Sequence, residues 1–377
     1  MKIAIVTLPL NTNYGGVLQA YALKTVLESM GHDVTVLDPK TKIWKPIWWK
    51  APFIYLKRAI VRLFKGRSGS EVFRELRLSR ELPVVSAAVR AFVMNKVKVR
   101  VISNYNVVKE GEYDAFVVGS DQVWRPSYLG NIYDRFLEFT SGWNVKRVAY
   151  AASFGTTELE YEYTQLEKCS KLLEGFCGVS VREESALKIC DEWFDCSRAM
   201  HVLDPVMLLP SSHYVSLAAG HDVVEFQGKV LSYILDKSVY KYNLVHFACH
   251  ALGKDYEDVS VHPADKNIPL NDRIMKPLEQ WIGAFAASDF VVTDSFHGCV
   301  LAILFHKPFL ALGNKMRGQT RLDSLLNMFE LEGRLVEAID PDDDGKEWLT
   351  YINWERVDEI LHSKVQESQT FIYDSLN

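Results

Sequence analysis

Short apolar runs recur along the chain, separated by stretches with the period of an amphipathic helix. The first run, KIAIVT at 2–7, precedes a segment at 15–30 in which Val17, Tyr21, Leu23, Leu27 and Met30 fall at roughly helical spacing. Gly31 then closes the helix and DVTVL at 33–37 supplies a second apolar run, so the chain is predicted to open with a βαβ unit. The alternation returns with runs at 113–118, 147–152, 178–181 and 201–203. These runs barely alternate polar with apolar, as expected of parallel strands covered by helices on both faces.

Beyond Asp204-Pro205 the pattern loosens through LLPSSHY and AAGHD, and it resumes with KVLSYIL at 229–235. A helix over 241–253, a strand near 258–262, a helix over 277–287, a strand at 289–292, a helix over 295–306 and a strand at 308–312 are predicted from there. The expected class is α/β, with one Rossmann-like domain over 1–205, a second over 206–350, and a long amphipathic helix within 351–377 packing back on either half. A length of 377 residues fits that division, because single cores stop growing near ~250–300 residues. Two parallel sheets facing one another leave a cleft at their strand C-termini, where open α/β sheets bind ligands.

One segment departs from the pattern. Between Pro39 and Ser70 there are nine basic residues and no acid, interleaved with Trp44, Trp48, Trp49, Phe53, Leu56, Ile60, Leu63 and Phe64. Such a basic, tryptophan-rich insertion at 40–67 suits either an interfacial helix on an anionic membrane or a helical insertion packed on the first domain. The net charge of −5 is otherwise spread along the chain and gives no nucleic-acid footprint. The six cysteines contain no CxxC pair and read as reduced thiols, and no apolar run reaches the length of a membrane span. A cytoplasmic protein is expected, with peripheral contact to the inner face of the membrane through 40–67.

Candidate chemistry sits where strands end. In NTNYGGVLQAYAL (11–23), Gly15 and Gly16 open a turn whose free N–H groups suit an anion or a sugar hydroxyl; a full GxGxxG is absent, so a dinucleotide is not indicated. In VVGSDQVWRP (117–126), Asp121 is placed to cap a following helix at the cleft edge, and Trp124 offers either a stacking face for a sugar or core. YAASFG (150–155) is another strand ending in a tight turn. In SVREES (180–185), Arg182 either pairs with Glu183 or Glu184 or points its fork at an anionic ligand. In TDSFHG (293–298), Asp294 or Ser295 caps a helix that carries His297 and Gly298 in its first turn. Either the histidine is hydrogen-bonded to a neighbouring strand, or exposed N–H groups there hold a phosphate, Gly298 leaves room for it, and a bound dianion favours the protonated imidazole of a general acid. Lys315, Arg317 and Arg321 follow the next strand and either add cationic donors to the same pocket or form a solvated surface.

Taken in order, NYGGVLQAYAL, YDAFVVGSDQVW, VAYAASFG, SVREES through VLDPVMLL, and SDFVVTDSFHG with FHKPF resemble the polysaccharide pyruvyl transferase family over about residues 1–330. The resemblance implies a GT-B-like fold and transfer of the enolpyruvyl unit of phosphoenolpyruvate to a sugar, forming a pyruvate ketal during cell-surface polysaccharide synthesis. It implies no metal and no cofactor, with phosphoenolpyruvate as donor substrate and a saccharide, carried on polyprenyl diphosphate, as acceptor. On this resemblance His297, Asp121 and Asp294 are the catalytic candidates. Arg182, Ser295, Gly298, Lys315 and Arg317 would bind the donor, and Asn13, Tyr14, Gly15, Gln19 and Trp124 the acceptor. Better-studied members carry arginine two positions before the histidine, where this chain has Ser295; a cation from Arg182, Lys315 or Arg317 would have to replace it. A nucleotide-sugar GT-B glycosyltransferase and a non-catalytic saccharide-binding protein are the alternatives.

Overall fold

The computed structural model describes residues 1–40, 46, 47, 49–65, 71–313, 319–336, 349 and 351–377. Seven strands build the first sheet: β1 Lys2–Val6, β2 Asp33–Pro39, β3 Arg100–Ile102, β4 Ala115–Asp121, β5 Lys146–Ala152, β6 Gly178–Val181 and β7 Met200–His201. Their order is β3-β2-β1-β4-β5-β6-β7 and every neighbouring pair is parallel. Five more build the second: β8 Val230–Tyr233, β9 Tyr256–Asp258, β10 Phe290–Thr293, β11 Phe309–Leu312 and β12 Leu335–Val336. These run β12-β11-β10-β8-β9, again all parallel. Central strands are buried throughout, all seven residues of β4 and all four of β10 included, which is why their sequences lack a polar face.

Two parallel α/β halves around a shared cleft are the GT-B-like arrangement expected. Each sheet reverses its winding once, between β1 and β4 in the first and between β8 and β10 in the second. Such switch points leave a crevice at the strand C-termini. The halves touch through helix α1, Tyr14–Ser29. Its Tyr14 stacks on Trp281 with ring centroids 4.9 Å apart and donates its hydroxyl to the Lys276 carbonyl at 2.8 Å.

The last helix, Trp354–Leu376, returns to the first half. Ser368 Oγ accepts from the Leu203 N–H at 3.1 Å, and Lys146 Nζ donates to the Leu376 carbonyl at 2.8 Å. Gly178 of β6 permits that contact, since a Cβ there would lie 2.0 Å from Ser375 Oγ. The basic insertion contains helix α2, Ala51–Lys65, followed by helix α3, Arg74–Val85. Trp44 and Trp48 of that insertion lie outside the described residues. No helix among the described residues is long and apolar enough to cross a membrane.

Candidate active site

A cleft of about 720 Å³ lies between the halves, within the range of small-ligand sites. Its walls come from both switch points: Leu8, Pro9, Thr12 and Asn13 after β1, Asp121 and Gln122 at the end of β4, Leu235 after β8, and Asp294 to His297 after β10. A second stretch, Val261 to Asp265, closes one side.

His297 stands in the first turn of the helix Phe296–Leu304. Ser295 is its N-cap, with Oγ accepting from the Gly298 N–H at 3.3 Å, so the hydroxyl occupies one of the donors that were expected to face an anion. Gly298 does not open the site either. A Cβ there would meet Thr293 Oγ1 at 2.4 Å, so this glycine serves the packing of helix against strand.

The free space read into the Gly15-Gly16 turn is instead filled by the histidine itself. A Cβ on Gly15 would lie 2.1 Å from His297 Nδ1, 2.5 Å from Cγ and 2.7 Å from Cε1. Gly15 thus contributes a flat wall on which the imidazole of the other half rests. Gly16 is also close, its Cβ position being 3.1 Å from Asn13 Nδ2 and 3.2 Å from Asp121 Oδ2.

Beneath the imidazole is a buried ionic cluster. His297 Nε2 lies 3.6 Å from Asp204 Oδ2 and makes no hydrogen bond. Arg182 Nη1 donates to the same Asp204 oxygen at 2.7 Å, and Nη2 reaches Asp121 Oδ1 at 3.5 Å. Ser120 Oγ is 3.1 Å from Asp204 Oδ2, and Asp204 Oδ1 accepts from the Val206 N–H at 3.0 Å. Burial pushes the Asp204 carboxyl up, yet His297 and Arg182 outweigh it and hold the group well below the ordinary carboxylate range. Burial likewise lowers the Arg182 guanidinium, and Asp204, Asp121 and Glu183 more than restore its charge.

Arg182 was expected at the donor or on Glu183 or Glu184. It is 3% exposed, paired with Asp204 and Asp121, and outside the residues that line the cleft. Its position makes it a support for Asp121 and Asp204. Glu183 instead turns to the YAASFG loop, where Oε1 accepts from Ser153 Oγ and from the Phe154 and Gly155 N–H groups at 2.9, 2.9 and 3.1 Å. Among the described residues, the arginine that does line the cleft is Arg321, whose guanidinium lies 5.8 Å from the centroid of the Phe296 ring, while Arg182 lies 4.6 Å from the same ring. Burial first, and the like charge of Arg182 second, bring Arg321 down to about 10.

Asp121 ends β4 at a left-handed φ of +76°, an uncommon conformation for a side-chain-bearing residue and one that concentrates at functional sites. No helix starts at it, the next being the short 3-10 turn Pro126–Tyr128, so the expected cap is absent. Its Oδ1 accepts from the Gln122 N–H at 2.9 Å and its Oδ2 from Asn13 Nδ2 at 3.5 Å. The carboxylate thereby joins the loops after β1 and β4 at the cleft wall.

Other expected residues have structural work. Asp294 accepts from the Leu235 and Asp236 N–H groups at 2.6 and 3.1 Å and from Lys241 Nζ at 2.6 Å. Its carboxylate is saturated by the loop after β8, so it is not an available base. Gln19 is fully buried and ties Thr7, Gly16 and the Ser120 N–H together. Trp124 is also fully buried, stacked on Phe136 with centroids 5.2 Å apart and donating Nε1–H to the Arg135 carbonyl at 3.2 Å. Neither can receive an acceptor sugar. Tyr14 borders the cleft, but its ring and hydroxyl are committed to Trp281 and Lys276. Lys315 and Arg317 lie outside the described residues.

Asp204 was missed as a site residue because Asp-Pro in a loosening stretch reads as a boundary. The Val261–Asp265 wall carried no motif.

A family model described as polysaccharide pyruvyl transferase matches residues 13–316. No curated protein sequence matches the chain. Among solved structures, UDP-GlcNAc 2-epimerase from Neisseria meningitidis bound to UDP-GlcNAc is similar at a TM-score of 0.49 and 11% identity, covering 100% of this chain and 99% of that one. A UDP-glucosyltransferase from Polygonum tinctorium is similar at 0.45 and 11%, covering 100% and 98%.

Proposed function

Because the chain belongs to the polysaccharide pyruvyl transferase family, we propose that it moves the enolpyruvyl unit of phosphoenolpyruvate onto two hydroxyls of a saccharide, releasing phosphate and leaving a pyruvate ketal. The observation that carries this reading is the meeting of His297, Asp121 and Arg321 on one cleft, with the Asp204–Arg182 pair buried beneath them. An acid, a carboxylate and a cation are what the chemistry needs.

In the proposed reaction, protonated His297 gives its proton to C3 of the enol, and the double-bond electrons form the new C–H bond. C2 becomes an oxocarbenium centre. The first sugar hydroxyl adds to C2 and yields its proton to Asp121. Phosphate then departs with the C2–O electron pair, and the second hydroxyl closes the ketal, its proton leaving on phosphate. Asp204, 3.6 Å from Nε2, offsets the imidazolium charge before transfer, and Arg321 would meet the donor's anionic groups in place of the arginine absent at Ser295. The Arg321 cation on the cleft wall favours an anionic donor over a neutral one.

The acceptor in this reading is a saccharide on a polyprenyl diphosphate, lying between the Asn13–Asp121 wall and Val261–Asp265. The test is isothermal titration with phosphoenolpyruvate and with UDP-sugars, paired with phosphate release in the presence of saccharide. Saturable phosphoenolpyruvate binding and acceptor-dependent phosphate release are expected. Binding of UDP-sugars with none of phosphoenolpyruvate would overturn the proposal in favour of a glycosyltransferase.

A further inference from the structure

Helix α2 leaves one apolar side uncovered. Phe53, Leu56, Ile60, Leu63 and Phe64 are 75, 60, 45, 84 and 86% exposed, and at 100° per residue they share an arc of about 100°. The opposite side rests on α3, where Arg58 Nη1 donates to Glu75 Oε1 at 2.7 Å and Tyr55 packs on Phe73 with centroids 5.0 Å apart. Just ahead of the helix, Ile47 and Trp49 are each 54% exposed, with Lys50 Nζ 4.7 Å over the Trp49 ring. Lys57 is exposed at the edge of the stripe. An apolar stripe of this extent on a protein surface marks an interaction.

Charge decides the partner. From Lys40 to Ser70 there are nine cations and no acid, in a chain whose net charge is −5. Pairing two copies through this segment would bring like charges together. An anionic bilayer offers both an apolar interior for the stripe and the opposite sign for its flanks. The placement agrees. Arg77 of α3 donates Nη2–H to the Ala264 carbonyl at 3.1 Å, and Arg273 Nη1 donates to Glu81 of α3 at 2.8 Å and to the Pro263 carbonyl at 3.1 Å. Pro263 and Ala264 belong to the cleft wall, so α3 braces the exposed helix against the rim of the site.

We propose that α2 and the residues just before it form an interfacial helix that docks the protein on anionic lipid bilayers, with the cleft held at the surface. This follows from exposed side chains and stands apart from the identity of the donor. The test is co-sedimentation of the full chain with vesicles of phosphatidylcholine alone, or containing about one third phosphatidylglycerol. Binding to the anionic vesicles is expected at least about tenfold above the neutral ones, falling several-fold as salt shortens the screening length. The triple variant Phe53→Ser/Leu63→Ser/Phe64→Ser is expected to lose about tenfold or more in binding, and Lys50→Gln/Lys57→Gln several-fold on anionic vesicles alone. Phosphate release on a water-soluble acceptor, without vesicles, is expected to stay unchanged in both variants, which separates this proposal from the catalytic one. Absent binding, equal binding to neutral vesicles, or binding untouched by the triple variant overturns the docking surface. So does a wild-type dimer that the triple variant converts to monomer, since a second copy then covers the stripe.

Discussion

Gly15→Ala is the smallest change that reaches the site, and its outcome follows from three distances. The new methyl would lie 2.1 Å from His297 Nδ1, 2.5 Å from Cγ and 2.7 Å from Cε1. Ordinary contact begins near 3.4 Å, so the ring or its helix must retreat by about 1.3 Å. Displacing a reacting group by ~1 Å lowers turnover by about 10²-fold. Stability moves less, for two effects oppose. Overpacking costs about 1–3 kcal/mol, while alanine in a helix gains up to ~1 kcal/mol over glycine; Gly15 lies within α1. A net destabilisation of about 0–3 kcal/mol is expected, with kcat/KM for acceptor-dependent phosphate release down about 10²-fold. Gly16→Ala is the control, because its Cβ would sit 3.1 Å from Asn13 Nδ2 and 3.2 Å from Asp121 Oδ2, and side-chain ends can give by a few tenths of an ångström. It should lose several-fold. Thermal melting and steady-state kinetics on both variants check this. A folded Gly15→Ala protein whose kcat/KM stays within threefold of the parent would refute the claim that this contact positions the histidine.

Arg321→Met should raise the KM for phosphoenolpyruvate about 10–100-fold, the worth of a hydrogen bond to a charged group, with a smaller change in kcat and partial rescue by Arg321→Lys. Asp204→Asn leaves Arg182 buried with weaker compensation, so a loss of about 3–5 kcal/mol is expected in denaturant unfolding near neutral pH. The same carboxylate sets an acid limit. Its folded pKa is depressed, so its stabilisation is present above the ordinary carboxylate value near ~4 and is lost as pH falls below that value toward the folded one. Melting curves from about pH 6 to 3 should therefore fall less steeply in Asp204→Asn than in the parent. Trp124→Ala should destabilise by about 3–5 kcal/mol through its core cavity, and the KM for a saccharide acceptor should be unaltered in the folded fraction.

The βαβ units were legible because doubly covered strands are written as unbroken apolar runs, and β1, β2, β4, β5, β6, β8, β10 and β11 fall on those runs. Most edge strands were not, although β7, Met200–His201, shares His201 with the predicted run at 201–203. β3 has three residues and β12 two, too short for any period to show, and β9 runs over Tyr256–Asp258, ahead of the expected 258–262. At the site, the polar cluster after Val292 lies with His297 on the cleft wall, since helix N-termini after parallel strands face the switch-point crevice. Its neighbours required the tertiary fold. Gly15 looked like open backbone because nothing local shows that an imidazole from the other half fills the space. Trp124 and Gln19 looked available for a sugar, yet both are sealed in the first half. Arg182 left its sequence neighbours for Asp204, a pairing that depends on β6 and the segment after β7 lying side by side.

The central claim, pyruvyl transfer through the His297 cleft, is tested most directly with phosphoenolpyruvate carrying labelled carbon. The account predicts that label enters the saccharide as a ketal, one phosphate appearing per label transferred, and that both signals vanish together in His297→Ala while the protein stays folded. Phosphate release without saccharide labelling, or labelling undiminished in His297→Ala, would contradict it.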